Sequence, residues 1–181
     1  TVSFTVYWGD GNSDTITSDT DPAMDHTYAS GGTYDIILDG TIGIWNSGTT
    51  TDRTKVTDVK KWSTNFTSGN FGDFTNLSSD TATDYPSVNT FRFFYRRCSS
   101  FNGDISNWDT SSVTVLQETF NEASSFNVSL NSWDVSSVTT IEECFINATS
   151  FNQPLDSWVV SGVSNAALCF KGCTSFNQSL N

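Results

Sequence analysis

Large apolar residues return every 25 positions through the second half of the chain, and this period limits the fold more than any other feature. Phe101, Phe126, Phe151 and Phe176 are in phase. So are Trp108, Trp133 and Trp158; Val113, Val138 and Val163; Phe120, Phe145 and Phe170; and Ile105, Leu130, Leu155 and Leu180. A fixed period in bulky residues means one supersecondary unit packed on copies of itself. A unit of that length cannot bury its own Phe and Trp rings, so its neighbours must. The expected class is mainly β with short helices: a solenoid of about four 25-residue coils, preceded by a small antiparallel β unit.

Within the coil at 101–125, the pattern predicts a short strand over 104–108, pairing in parallel with its equivalents at roughly 4.8 Å. Thr110, Ser111 and Ser112 are expected to supply capping hydroxyls. Val113, Leu116 and Phe120 have the i, i+3, i+7 spacing of one face of a short helix or irregular turn. Ala123, Ala148 and Cys173 share a small-residue position where neighbouring coils approach closely. Asn102, Asn127, Asn152 and Asn177 each follow the repeat Phe. Apolar periodicity does not explain a fixed polar residue, and a buried Asn ladder bonded to adjacent coils does.

The period decays toward the middle of the chain. Val88, Phe91 and Tyr95 align with Val113, Leu116 and Phe120, but Thr83 stands where a Trp belongs. Residues 81–100 are therefore read as a degenerate first coil, followed by coils at 101–125, 126–150 and 151–175 and a partial one at 176–181. Phe93 and Phe94 fall on positions expected to face outward, where two rings need cover from the first unit or a cap loop. A stack also needs an end cap. Residues 53–80 are assigned that role, with Phe66, Phe71, Phe74 and Leu77 reaching into the core. The chain opens a new repeat at Thr174 and stops before its Trp, as expected of a fragment or of a subunit whose open end a partner covers.

Residues 1–52 form the other unit. Residues 2–8 alternate like a half-buried strand, and Gly9-Asp10-Gly11-Asn12 marks a tight turn. Further strands are expected over 33–38 and 41–45. Asp10, Asn12 and Asp14 have the i, i+2, i+4 spacing of a calcium loop, but Thr15 and Asp21 occupy positions where an EF-hand requires Gly and Glu. A looser calcium site and a simple hairpin turn with solvated carboxylates both remain. His26, the single histidine, is read as a turn-orienting residue.

Trp8-Gly9-Asp10-Gly11, then His26-Thr27-Tyr28, then Gly32-Thr33-Tyr34 resembles, in order, the motifs of the polycystic-kidney-disease-type (PKD-type) immunoglobulin-like domain, over about half of such a domain. The resemblance implies an extracellular spacer. Ser100-Phe101-Asn102, Ile105, Trp108-Asp109, Ser111 and Val113-Thr114, repeated from Ser125 and Ser150, resembles the BspA-like surface-protein repeats, relatives of the leucine-rich repeats. The third copy departs from the pattern at Val159 and Ser164. This resemblance implies a right-handed leucine-rich-repeat-like solenoid, a secreted or cell-surface location and a link to adhesion.

Charge narrows the function classes. The net charge is −12. Residues 1–52 carry eight Asp and no Lys or Arg, which leaves twelve acids against eight bases in the remainder. Such a field repels phosphate backbones, so nucleic-acid binding is not expected. No stretch approaches the roughly 20 apolar residues of a membrane span. Cys144 and Cys169 occupy the same phase in neighbouring coils, within disulfide range. A Cys144–Cys169 bridge and four reduced, buried thiols are both compatible with the sequence. Acceptor sequons for glycans lie at Asn65, Asn76, Asn127, Asn147 and Asn177.

No His-based triad, phosphate-cradling Gly loop or metal cluster is present, so no enzyme and no cofactor other than calcium is expected. The leading expectation is an extracellular adhesion module whose ligand is a protein or glycan. Its recognition face would be Asp104, Ser106 and Asn107; Ser129, Asn131 and Ser132; and Pro154, Asp156 and Ser157, which vary between coils while the core does not. The alternative is a structural subunit of a fibre, sheath or appendage, joining copies of itself through open solenoid ends.

Overall fold

The computed structural model describes residues 3–18, 21–41, 54–62 and 71–179. The strand expected over 41–45, Phe66, Leu180 and the Asn65 sequon lie largely or wholly outside these residues. The N-terminal sheet has three antiparallel strands in the order β2-β1-β3: β1 (Ser3–Tyr7), β2 (Ser13–Ile16) and β3 (Ile37–Thr41). Phe4 and Val6 point to one face of β1 with Trp8 beyond its end, and Ile16 meets them from β2, all buried. The alternation over 2–8 produces this face directly.

The strand expected over 33–38 begins only at Ile37. The reason is local. Gly9 sits at φ +80°, and a Cβ there would lie 2.7 Å from the Asp35 carbonyl oxygen. Tyr34 stacks on Tyr28 at 4.2 Å, and its hydroxyl donates to Ser30 O. Residues 33–36 therefore cross the Gly9 turn as an irregular segment. Between the strands, Asp21 caps a 3-10 turn, Pro22–Met24, by accepting the Ala23 N–H at 3.1 Å.

Beyond the joint, turns of chain lie on one another with a regular backbone pattern. The amides of Phe91, Phe93, Tyr95 and Arg97 donate to the carbonyls of Val115, Gln117, Thr119 and Asn121. Leu116, Glu118, Phe120 and Glu122 donate in the same way to Thr140, Glu142, Cys144 and Ile146, and Ile141, Glu143, Phe145 and Asn147 donate to Asn165, Ala167, Cys169 and Lys171. Alternate amides in between close local turns, such as Phe94 to Phe91 O and Arg96 to Phe93 O. Every second peptide unit along this arm has the same orientation, C=O toward the preceding repeat and N–H toward the next.

That orientation needs left-handed residues. Phe93, Glu118, Glu143 and Leu168 have φ from 54° to 62°, and Asp73, Arg97, Glu122 and Asn147 have φ from 56° to 70°. Gly172 continues the second series at φ 76°. For non-glycine residues this conformation costs roughly 1–2 kcal/mol each. In every repeat but the last, the amide it exposes is bonded to the following repeat, for example Glu122 to Ile146 O at 2.7 Å.

Of the two readings of Val113, Leu116 and Phe120, a short helix or an irregular turn, the structure has the irregular turn. The left-handed residues break helical geometry, and an α-helix would spend the same amides within its own turn. Among the described residues the only helical element is Pro22–Met24. Pairing also falls elsewhere than expected: the parallel bridges are Thr90↔Val115, Val115↔Thr140 and Thr140↔Asn165, and 104–108 forms no strand. Nor do the hydroxyls cap helices. Thr110 Oγ1 donates to Asp134 O at 3.0 Å and Ser112 Oγ to Val88 O at 3.4 Å, bonding repeat to repeat.

The core is made of aromatic columns. Phe101, Phe126, Phe151 and Phe176 stack in series at 5.9–6.0 Å between centroids. Tyr95, Phe120, Phe145 and Phe170 form a second column at 5.4–6.0 Å. Where one repeat passes into the next the two columns touch face to face, as in Phe120–Phe126 at 4.1 Å. Trp108 and Trp133 stack at 6.3 Å and are buried, whereas Trp158 is only partly buried.

Phe94 also corrects the sequence reading. It is completely buried, in a column with Thr119, Cys144 and Cys169, which are all buried. The position faces inward. Phe93 is half-buried at a left-handed turn, with Arg92 and Arg96 over its ring at 4.6 and 5.4 Å. Two flanking cations cover it, and the cap segment expected to cover such rings packs on Phe94, with Trp62 at 5.6 Å and Phe71 at 5.4 Å.

At the joint, β4 (Asp58–Val59) pairs in parallel with β5 (Ser79–Asp80). Trp62 packs edge-on against Trp108 at 5.5 Å and Phe71 at 5.2 Å. It supplies the indole that Thr83 does not. Phe74 and Leu77 are buried beneath it.

Candidate functional site

The expected recognition residues follow the repeat Phe and precede or adjoin the repeat Trp, along one edge of the repeats. Asp104, Asn107, Ser129, Ser132, Pro154, Asp156 and Ser157 are exposed, and Ser106 and Asn131 are half-buried. The edge is ordered by bonds across repeats. The Trp133 indole donates to Ile105 O at 3.0 Å and the Trp158 indole to Leu130 O at 2.9 Å. Ser132 Oγ donates to Ser106 O at 2.5 Å. Ser157 donates its N–H to Asn131 Oδ1 at 3.1 Å, and its hydroxyl bonds Asn131 O.

Within the first repeat, the Ser106 hydroxyl (2.7 Å) and N–H (3.0 Å) donate to Asp104 Oδ1. These bonds, the side chain's first, hold the Asp104 carboxyl below its ordinary range. Asp104 is therefore a fixed anion at neutral pH. The edge presents carboxylates, hydroxyls and amides on a rigid backbone, the donor and acceptor set that sugars or polar peptide surfaces require. Indoles pin that backbone from inside, and Pro154 stiffens the third repeat.

The Asn ladder exists but lies at the surface, which corrects its expected burial. Asn102 Oδ1 accepts the Asn127 N–H at 2.8 Å, Asn127 Oδ1 accepts that of Asn152 at 2.9 Å, and Asn152 Oδ1 accepts that of Asn177 at 2.9 Å. Asn102, Asn127 and Asn177 are exposed. A fixed backbone bond, rather than dryness, accounts for the invariance.

The residues considered for calcium are engaged in hydrogen bonds of the turn. Asp14 accepts the Trp8 indole at 2.7 Å. Asp10 accepts from His26 Nε2 at 2.9 Å, from the Asn12 N–H at 3.0 Å and from Asn12 Nδ2 at 3.1 Å. His26 stacks on Trp8 at 4.7 Å, and the Tyr28 hydroxyl donates to Trp8 O. These residues knit the turn together. The His26 bond, first among the causes, lowers the Asp10 carboxyl below its ordinary range. Among the described residues no group of three metal-ligating His, Cys, Asp or Glu side chains is gathered.

Cys98, Cys144, Cys169 and Cys173 are buried free thiols, so the Cys144–Cys169 bridge is not formed in this structure. Burial pushes Cys98 and Cys169 up to about 12. Cys98 Sγ donates to Phe71 O and Cys173 Sγ to Phe145 O, equivalent bonds at the two ends of the repeats.

Sequence reasoning missed a charged cluster along the arm that bonds repeat to repeat. Arg96 Nε meets Glu118 at 3.1 Å, and Arg97 lies between Asp73 and Glu122. Asn121 Nδ2 donates to Glu118 and Glu143. The signal was available: Glu118 and Glu143 share a phase, and the basic run Arg96-Arg97 precedes Glu122 by one repeat.

No curated protein and no solved structure matches the chain. Among the described residues no helix is long and apolar enough to cross a membrane. A family profile does match over residues 64–181, the segment that holds the aromatic columns, the ladder and the polar edge. The chain belongs to that family, described as Mycoplasma protein of unknown function, DUF285.

Proposed function

We propose that the chain is a non-catalytic module of the bacterial cell surface that binds an extracellular protein or glycan. In this reading 81–181 is a right-handed solenoid of the BspA-like, leucine-rich-repeat type, and 1–52 is a PKD-like spacer that holds it away from the cell. One observation carries the binding role. The edge from Asp104 to Ser157 presents a different exposed polar set in each repeat on a backbone bonded repeat to repeat. Variation on a rigid frame is what selective recognition needs.

The test is binding of the purified chain to arrayed glycans and extracellular-matrix proteins, alongside an Asn107→Ala, Ser129→Ala, Asp156→Ala triple variant. A loss of binding of about tenfold or more with an unchanged melting temperature supports the reading. Binding indifferent to all three changes, or none to either panel, rejects it.

A second reading, a subunit that assembles with copies of itself, is favoured by a separate feature. Val159, Val160 and Leu168 are exposed. Beside them, Ile141, Leu155, Trp158, Ala166, Cys169 and Phe170 help line an apolar cavity of about 370 Å³. Light scattering and negative-stain microscopy separate the two: ordered oligomers favour assembly, and dispersed monomers favour adhesion.

A further inference from the structure

Asp80 is the buried ionisable side chain that neither reading uses. It ends β5 and is 7% exposed. Its Oδ1 accepts the Ala82 N–H at 3.1 Å. Its Oδ2 accepts the Trp62 indole at 3.0 Å and the Tyr95 hydroxyl at 3.3 Å. Those two partners come from different parts of the chain. Trp62 belongs to the segment at 54–62, which pairs through the short β4–β5 ladder and its flanking bonds. Tyr95 begins the second aromatic column and stacks on Phe101 at 3.9 Å. Gly103 presses on the Asp80 backbone from the next repeat, leaving no room for a Cβ.

The charged and titratable groups around it do not neutralise it. Asp58 on β4 is engaged by Ser79 and Thr81, and Asp84 accepts the Trp62 N–H. Tyr95 and Cys98 are buried neutral acids. Asp104 beyond Gly103 is held by Ser106. The nearby cations are committed elsewhere: Lys60 to Asp35, Arg96 to Glu118, and Arg97 to Asp73 and Glu122. Lys61 is exposed. Among the described residues, no cation is paired with Asp80.

We propose that Asp80 is a proton-operated latch that fastens the 54–62 segment to the first aromatic repeat and tightens in mild acid. A buried carboxylate without a counter-ion favours its neutral form. Protonated, it stays bonded to all three groups: one oxygen accepts from Ala82, while the other accepts the indole and donates its new O–H to the Tyr95 oxygen, whose own proton then gives up its bond to Asp80. Burial, helped by Asp58, raises its carboxyl to about 6, against the acceptor bonds from Ala82, Trp62 and Tyr95.

The sign follows. Since the closed-state value lies above the ordinary one of 3.8, the closed joint binds the proton more tightly than an opened joint does. Closure strengthens as the pH falls from 7 through 6 and levels off near the ordinary value. Between pH 7 and pH 5 the opening equilibrium should fall about tenfold.

Hydrogen exchange on the full chain tests this, with readout at the Ser78 and Thr81 amides, which donate to Thr57 O and Val59 O across the joint. These sites are separate from the Asp10–His26 pair of the N-terminal unit. After correction for intrinsic exchange, protection should rise about tenfold from pH 7 to pH 5 and lose that dependence in Asp80→Asn. The carboxyl carbon of Asp80, followed by NMR in the unmodified chain, should titrate near 6; this measurement stands even if Asp80→Asn fails to fold. Titration near the ordinary value, or pH-independent protection of Ser78 and Thr81, overturns the proposal.

Discussion

Replacing Trp133 by alanine removes the ring that joins three repeats. Trp133 is 3% exposed and stacks on Trp108 at 6.3 Å. It also meets Phe91 at 5.5 Å and Phe120 at 6.0 Å, and its indole donates to Ile105 O. An indole buries on the order of 200 Å², worth about 5 kcal/mol at ~25 cal/mol per Å². Large-to-alanine changes in cores cost about 3–5 kcal/mol. The stranded Ile105 carbonyl adds about 1 kcal/mol or more wherever water does not reach it. The expected loss is therefore at the upper end, about 4–6 kcal/mol.

Trp158 has the same repeat position and the same kind of carbonyl bond, but is only partly buried. Trp158→Ala should cost roughly half as much. Trp133→Phe keeps a ring and loses the N–H, so it should fall between. Urea unfolding at neutral pH, followed by circular dichroism, orders the three. Equal losses for Trp133→Ala and Trp158→Ala would refute the claim that stability resides in shared rings between repeats.

Two further outcomes are specific. Leu168 is 51% exposed at φ 58°, and its amide is bonded to no other repeat among the described residues; for the chain as given, Leu168→Gly should raise stability by about 1 kcal/mol, and a lower melting temperature would show that its side chain matters more than its backbone. The Asp10 carboxyl, lowered chiefly by His26, contributes stability that is present above its ordinary value and lost as the pH falls through its lowered one; His26→Gln should flatten that acid limb in thermal melts across pH 2–5, and an unchanged limb would remove the pair from the account.

The aromatic period placed the core rings correctly because burial is set by side-chain chemistry, and chemistry is written residue by residue. Phe101, Phe120, Phe126 and Phe145 are all fully buried. Backbone conformation was far less legible. Val113, Leu116 and Phe120 have helical spacing, yet Glu118 and Glu122 sit in left-handed turns that only Gly or Asn would have announced. Their conformation is held by acceptors one repeat away, a non-local cause with no signature in the local sequence.

Phe94 was misplaced for a related reason. Aligning it with Thr119 suggested a solvent position, but Thr119 is itself buried and donates its hydroxyl to Phe91 O at 3.1 Å. A polar residue in an alignment column is weak evidence of exposure when a backbone carbonyl awaits it. Of the polar edge, the sequence showed which side chains differ between repeats. The bonds that fix them, such as Ser157 to Asn131, needed coordinates.

The one-way orientation of the peptide units between 116 and 122 has a bearing on how such chains change length. Each amide aimed at the next repeat alternates with one used in a local turn. Removing a single residue there would exchange the two roles along the arm and put every donor out of step with its acceptor. Duplicating or deleting an entire unit preserves the match at both new junctions. A change of length by whole units therefore leaves the arm bonded, whereas the loss of one residue inside it does not.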